Sequence, residues 1–281
     1  MERNGAQIGD FRREWLTLPA PAGAPLVVFL TGTGGTALWA DRETGWSKLA
    51  AQEGFALAVP EALPPDPTAP ASFLANPPRW NDGSPPLFDG PQADDVTFLT
   101  AVIDDATARF GTDPRRVFVT GFSNGAGMAF RFAAERAERV AALAPVAGYC
   151  WVREPKPSRP VPTLYTVGTD DLLLPFRGGE VRLPWNNRLV RRPPITETLE
   201  RWATALGCSP ISVLQYEEGD EKTVRVERYP GPVVFDAVTV PGLGHHWPGG
   251  RALLNPRTAG PPSDAVNATE MIWAFFKGLM V

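Results

Sequence analysis

Cysteine and histidine are nearly absent from this chain of 281 residues, which holds two of each. Cys150 and Cys208 are too few for a disulfide scaffold or a thiolate metal cage, and they are either buried free thiols or one bridge. Any imidazole chemistry must use His245 or His246, which are adjacent. Neighbouring side chains point apart and no third ligand is evident, so the pair makes a poor metal site. The expectation is no metal and no cofactor. Also missing is any apolar run near the roughly 20 residues of a membrane helix, so no membrane partner is expected. Residues 1–15 lack the apolar core of a signal peptide, which fits a cytoplasmic protein or a trimmed mature form. Positive charge is not in surplus: 27 Lys and Arg face 31 Asp and Glu, a net charge of −4 that speaks against nucleic acid. Repeats, heptads and low-complexity linkers are absent too.

What is present is a soluble globular composition, 43% hydrophobic and 21% charged, enough for a sizeable core. Leu26–Leu30 reads as a buried strand that runs into the glycine-rich turn Thr31-Gly32-Thr33-Gly34-Gly35-Thr36. Phe55–Val59, Val117–Thr120, Val140–Val146, Thr163–Val167 and Val233–Val240 read as further strands. Helices are expected from Asp94-Asp95 to Phe110, over Ala126–Ala137, over Thr196–Leu206 and over Asp264–Met280. Between Pro60 and Pro91 the chain is crowded with proline and lacks periodicity, so residues 60–92 read as a long irregular excursion. Apolar strands alternating with helices predict an α/β fold, a mostly parallel sheet with helices on both faces, as one domain over residues 1–281.

The chemistry centres on Gly121-Phe122-Ser123-Asn124-Gly125, a G-x-S-x-G pattern between a strand and a helix. A sharp strand-to-helix turn strains the serine backbone and leaves no room for flanking side chains, hence the glycines. A serine hydroxyl needs a base. The two histidines lie in the glycine-rich loop Gly242 to Gly250, which follows the last expected strand. A carboxylate between the two in sequence completes the order Ser, Asp, His of α/β-hydrolases. Asp170 and Asp171 both follow the strand Thr163–Val167, and either could be a turn cap instead. Should neither serve, Asp236 or Asp220 is the fallback. The backbone N–H groups of Asn124 and Thr33 are the expected oxyanion donors. The glycine turn lacks the lysine of a P-loop, which disfavours a phosphate cradle.

Three segments then carry a family resemblance: Gly121 to Met128, Gly168-Thr169-Asp170-Asp171 through Gly179, and Gly244-His245-His246-Trp247-Pro248-Gly249. Together they resemble the polyhydroxybutyrate depolymerase and feruloyl esterase group, the family-1 carbohydrate-esterase-like α/β-hydrolases, from about residue 25 onward. The resemblance implies that Asp171, rather than Asp170, is the catalytic acid and that His245 is the catalytic imidazole, with Trp247 beside it. It also implies an ester hydrolase, in a group whose members are frequently secreted. Two departures stand out. Thr31 occupies the place of a histidine common in the family, which implies tuning of the oxyanion turn. The family's usual cysteine partner for Cys208 is missing from Glu227–Pro232, so Cys208 pairs with Cys150 or stays free.

The implied substrate is a hydroxyalkanoate oligomer or polyester, with a feruloyl or acetyl-xylan ester as the alternative and a non-catalytic polymer-binding relative as the third reading. Of nine tryptophans, Trp247 and Trp80 are the expected substrate-binding pair, and Trp185 is a further stacking candidate. Arg177, Arg182, Arg188, Arg191 and Arg192 form a basic cluster suited to a substrate carboxylate or simply to solvent.

Overall fold

The structure, a computed structural model, describes residues 1–209 and 224–280. Strand β1 (Glu2–Ile8) and strand β2 (Phe11–Leu18) form an antiparallel hairpin. Strand β3 (Leu26–Leu30) follows, entirely buried. Two short helices come next, α1 (Ala37–Thr44) and α2 (Trp46–Glu53). Gly45 separates them in the left-handed conformation, at φ 71°. Strand β4 (Ala56–Pro60) leads into the proline-rich stretch, which holds only isolated bridges such as Leu63 with Arg79.

Helix α3 (Asp95–Phe110) begins where Asp94 accepts the Thr97 N–H. Strand β5 (Val117–Phe122) and helix α4 (Asn124–Glu135) are joined by Ser123 alone. Strands β6 (Ala142–Val146) and β7 (Thr163–Gly168) continue the sheet, and β8 (Gly179–Arg182) and β9 (Leu189–Arg192) make a separate hairpin. Helix α5 (Ile195–Leu206), strands β10 (Arg225–Arg228) and β11 (Phe235–Val240), and helices α6 (Pro256–Ala259) and α7 (Ala268–Gly278) complete the described elements, besides a single 3-10 turn at Ala137–Arg139.

Among the described residues the main sheet has nine strands in the order β1-β2-β4-β3-β5-β6-β7-β11-β10. The six from β4 to β11 run parallel, and antiparallel strands finish both edges. Alternation along β3 shows why helices must cover both faces. Leu26, Val28 and Leu30 pack into one core with α3, α4 and α5, whereas Val27 and Phe29 pack into another with α1, α2 and α7. A strand buried on both sides is apolar throughout, which is how it read in the sequence.

The N-terminal hairpin was not legible in the sequence because a charge sits at a core position of β2. Arg13 is buried, donates to Asp95 Oδ1 at 2.8 Å and lies 4.0 Å above the Phe98 ring centre. Burial pushes the Asp95 carboxyl above its ordinary range while the Arg13 charge opposes that rise. The last helix starts at Ala268, later than expected, because Asn267 caps it by accepting the Glu270 N–H at 3.2 Å. Among the described residues no helix is long and apolar enough to cross a membrane. Cys150 and Cys208 are both buried free thiols, so no bridge links them.

Candidate active site

Ser123 has φ 57° and ψ −120°, a conformation costly for any residue with a Cβ. It follows β5 directly and opens α4, so its side chain stands above the carboxyl edge of the sheet at the positive end of a helix. The flanking glycines are required sterically. A Cβ on Gly121 would stand 2.6 Å from the Gly125 carbonyl oxygen, and one on Gly125 would stand 2.2 Å from that of Leu30.

The loops after β7 and β11 are tied together by their backbones. Asp170 N–H donates to Leu243 O at 3.0 Å, and Gly242 N–H donates to Thr169 Oγ1 at 2.9 Å. A Cβ on Gly168 would lie only 2.0 Å from the Leu243 carbonyl oxygen. Parallel pairing of β7 with β11 therefore brings Asp171 beside His245, although 74 residues separate them.

His245 Nδ1 lies 2.7 Å from Asp171 Oδ2, and His245 Nε2 lies 2.8 Å from Ser123 Oγ. A carboxylate can only accept, so Nδ1 carries the hydrogen and Nε2 is left to accept the serine O–H. The other Asp171 oxygen accepts the N–H groups of Leu173 at 2.8 Å and Leu174 at 2.6 Å. Hydroxyl, imidazole and carboxylate in series can move a proton off the hydroxyl as it attacks. Asp170 is exposed and, among the described residues, its carboxylate accepts only from the Thr169 hydroxyl. His246 is buried and turned away, with Nε2 donating to the Gly260 carbonyl at 2.9 Å. Of the fallback carboxylates, Asp236 is held in two hydrogen bonds by Arg228, and Asp220 lies outside the described residues.

The glycine-rich turn is held by Gly34 N–H to Pro78 O at 2.8 Å and Gly35 N–H to Gly32 O at 2.9 Å. The N–H groups of Thr33 and Asn124 have no hydrogen-bond partner among the described residues, and both residues border the cavity at Ser123. Thr31, at the family's histidine position, is fully buried, and its carbonyl accepts the Trp80 indole N–H at 2.9 Å.

Two cavities meet at Ser123, His245, Thr33, Leu173 and Trp185. One measures about 650 Å³ and has mainly apolar walls, including Trp39, Phe73, Leu74, Trp185, Leu253 and Leu254. The other, about 40 Å³, is bounded by Arg79, Asp82, Ser84, Tyr149, Trp151 and Arg192.

Trp80 and Trp247, expected from the sequence as substrate platforms, are instead core residues. Trp247 is 2% exposed, packs edge-on against Phe29 and Phe122, and donates to Thr269 Oγ1 at 2.9 Å. Trp80 is 1% exposed and stacks on Phe98. Neither indole borders the cavities at Ser123. The Trp80 backbone matters instead: its N–H donates to Asn124 Oδ1 at 2.7 Å, and its carbonyl accepts from Asn124 Nδ2 at 3.1 Å. The residues missed in the sequence as cavity walls, Trp39, Phe73 and Leu74, lie in irregular or newly recognised segments with no periodicity to mark them.

The fold is that of the α/β-hydrolases, and likeness to esterases in sequence marks the chain as a hydrolytic enzyme. Its sequence relatives include proteins named as esterases. It is 29% identical over 280 residues to the putative esterase NocK of Nocardia uniformis subsp. tsuyamanensis, covering 92% of this chain and 75% of that one. It is 33% identical over 132 residues to feruloyl esterase B of Piromyces equi, covering 42% of this chain but only 23% of that one. Among solved structures, acetyl xylan esterase from Aspergillus awamori superposes with a TM-score of 0.59 at 17% identity, covering 88% of this chain and 94% of that chain. Native pOPH superposes equally well, with a TM-score of 0.59 at 15% identity and coverages of 99% and 86%. No family model matches the chain.

Proposed function

We propose that this protein is a serine carboxylic-ester hydrolase, working as a single α/β-hydrolase domain through an acyl-enzyme. Ser123 Oγ attacks the ester carbonyl while His245 Nε2 takes its proton, and Asp171 orients and stabilises the imidazolium. The Thr33 and Asn124 N–H groups hold the oxyanion. Collapse of the intermediate breaks the ester C–O bond, and the alcohol leaves with the His245 proton. Water then attacks the acyl-serine by the same route. The observation that carries this reading is the 2.8 Å approach of His245 to a serine in a strained turn, with Asp171 2.7 Å behind the ring.

The favoured substrate is a hydroxyalkanoate oligomer or polyester. The large cavity is walled by side chains that welcome aliphatic ester units, and Phe73, Leu74 and Leu253 expose apolar surface at its rim. A feruloyl or acetyl-xylan ester is the second reading, favoured by the names of the sequence relatives and by the flat walls of Trp39 and Trp185. The test is fluorophosphonate labelling followed by p-nitrophenyl acyl esters, methyl ferulate and hydroxybutyrate oligomers. Folded Ser123→Ala protein is expected to lose labelling and about 10³-fold or more of the hydrolytic rate. A folded wild type that neither labels nor turns over any ester would leave a non-catalytic polymer-binding role.

A further inference from the structure

Arg192, at the end of β9, is half-buried and lines the small cavity beside Ser123. Among the described residues its side chain has no hydrogen bond and no ion pair; its guanidinium carbon lies 5.8 Å from the Trp151 ring centre. The other charges of the cavity are already matched. Arg79 donates to Asp82 Oδ1 at 3.4 Å and also to the Ser84 hydroxyl. Asp82 further accepts from the Ser84 N–H at 3.1 Å; Asp171, outside this cavity's lining, is hydrogen-bonded to His245. Among the described residues that line this cavity, Arg192 is thus a guanidinium without an ion-pair partner, beside the nucleophile.

Burial of an unmatched charge is costly and persists where something offsets it. Burial lowers the Arg192 pKa from the ordinary guanidinium value and the repulsion of Arg79 adds to this, while Tyr149, Asp82 and Asp171 act the other way; arginine stays charged at neutral pH. The neighbouring donors are also unmatched. Tyr149 Oη, Trp185 Nε1 and the Nε atoms of Arg79 and Arg192 are buried without partners among the described residues, and all four residues border this cavity. Burial raises the Tyr149 pKa, which keeps its phenol protonated as a donor. A cavity of about 40 Å³, continuous with the larger one at Ser123, has room for a carboxylate-sized group. Guanidinium and carboxylate match in shape, two parallel N–H donors meeting two oxygens.

We propose that the small cavity is a carboxylate subsite in which Arg192 binds a free acid on the ester substrate, so that the enzyme prefers esters carrying a carboxylate a few bonds from the scissile carbonyl. The inference rests on Ser123-dependent ester hydrolysis. Its shared chemistry has two sources: the acid belongs to the acyl part, as in a dicarboxylic monoester, or to the leaving hydroxy acid, as at the carboxyl end of a hydroxyalkanoate oligomer.

The experiment compares each acid with its methyl ester, which keeps the shape and removes the charge. The acyl arm uses 4-nitrophenyl hemisuccinate against 4-nitrophenyl methyl succinate. The leaving-group arm uses 3-acetoxybutyrate against its methyl ester, with acetate release as the readout. In at least one arm the wild type is expected to show kcat/KM about 10-fold or more higher for the acid, and that arm identifies the source. Arg192→Gln is expected to bring the acid-to-ester ratio near one, mainly through KM, and Arg192→Lys to restore part of it. Lys156→Gln, at an exposed cation that borders neither cavity at Ser123, should keep the ratio. A ratio near one in both arms for the wild type, or a ratio unchanged in Arg192→Gln, overturns the subsite while leaving the esterase reading in place. Failure to hydrolyse even p-nitrophenyl acetate, or hydrolysis that survives Ser123→Ala, overturns both.

Discussion

Asp171 meets His245 with one oxygen at 2.7 Å and spends the other on two backbone N–H groups of the turn that carries it. The carboxylate is thereby held at both ends, and the imidazole it faces has one favoured tautomer. Such an acid orients the ring through a geometry that the exposed Asp170, one residue earlier, does not share.

Asp171→Asn is expected to reduce kcat by about 10⁴-fold, because an amide can present an N–H and stabilise the wrong tautomer. Asp170→Asn should change kcat little. His245→Ala should be as damaging as loss of the nucleophile. His246→Ala removes a buried hydrogen bond to Gly260 and should lower the melting temperature more than the rate. Steady-state kinetics beside thermal melts separate the two classes, and the opposite ranking within either pair would remove the assignment.

Trp247 and Trp185 should differ in kind. Trp247→Ala opens a cavity in the core, costs about 3–5 kcal/mol of stability, and lowers rates on all esters in parallel. Trp185 borders both cavities at Ser123. Trp185→Ala should raise KM for esters with large or planar groups by roughly 2- to 12-fold, as expected for a lost stacking contact of about 0.5–1.5 kcal/mol, with little effect on p-nitrophenyl acetate. Equal effects on every ester would place Trp185 among the structural residues.

Both thiols should be silent in the folded protein. Burial pushes the Cys150 thiol up to about 12 and raises that of Cys208. The reactive thiolate is the deprotonated form, so raising these values lowers its fraction at pH 8 and slows attack on a disulfide reagent. Titration with an aromatic disulfide is expected to detect no fast thiol when native and two after denaturation. Finding none after denaturation would reveal a bridge.

The sheet was legible strand by strand wherever both faces are buried, since such strands are simply apolar; Leu26–Leu30 is bounded in the sequence as in the structure. It was illegible where a charge replaced an apolar residue, as at Arg13, whose partner Asp95 is 82 positions away. The short helices around Gly45 escaped notice for want of length, and the β8–β9 hairpin because its alternation is weak and mostly exposed.

For the site, local sequence determined the strained turn at Ser123, since glycines at 121 and 125 are the only residues whose backbones can approach so closely. It also determined that His245 and His246 were the sole candidate bases. Neither composition nor spacing could decide which imidazole faces the serine, that Trp80 and Trp247 turn inward, or that Arg192 lines the cavity beside the nucleophile. Those outcomes depend on which loops lie side by side at the carboxyl edge of the sheet. Parallel pairing of β7 with β11 and of β3 with β5 brings those loops together across long stretches of chain. Only the packed structure contains those neighbours, so only there do burial and charge matching have partners to act on.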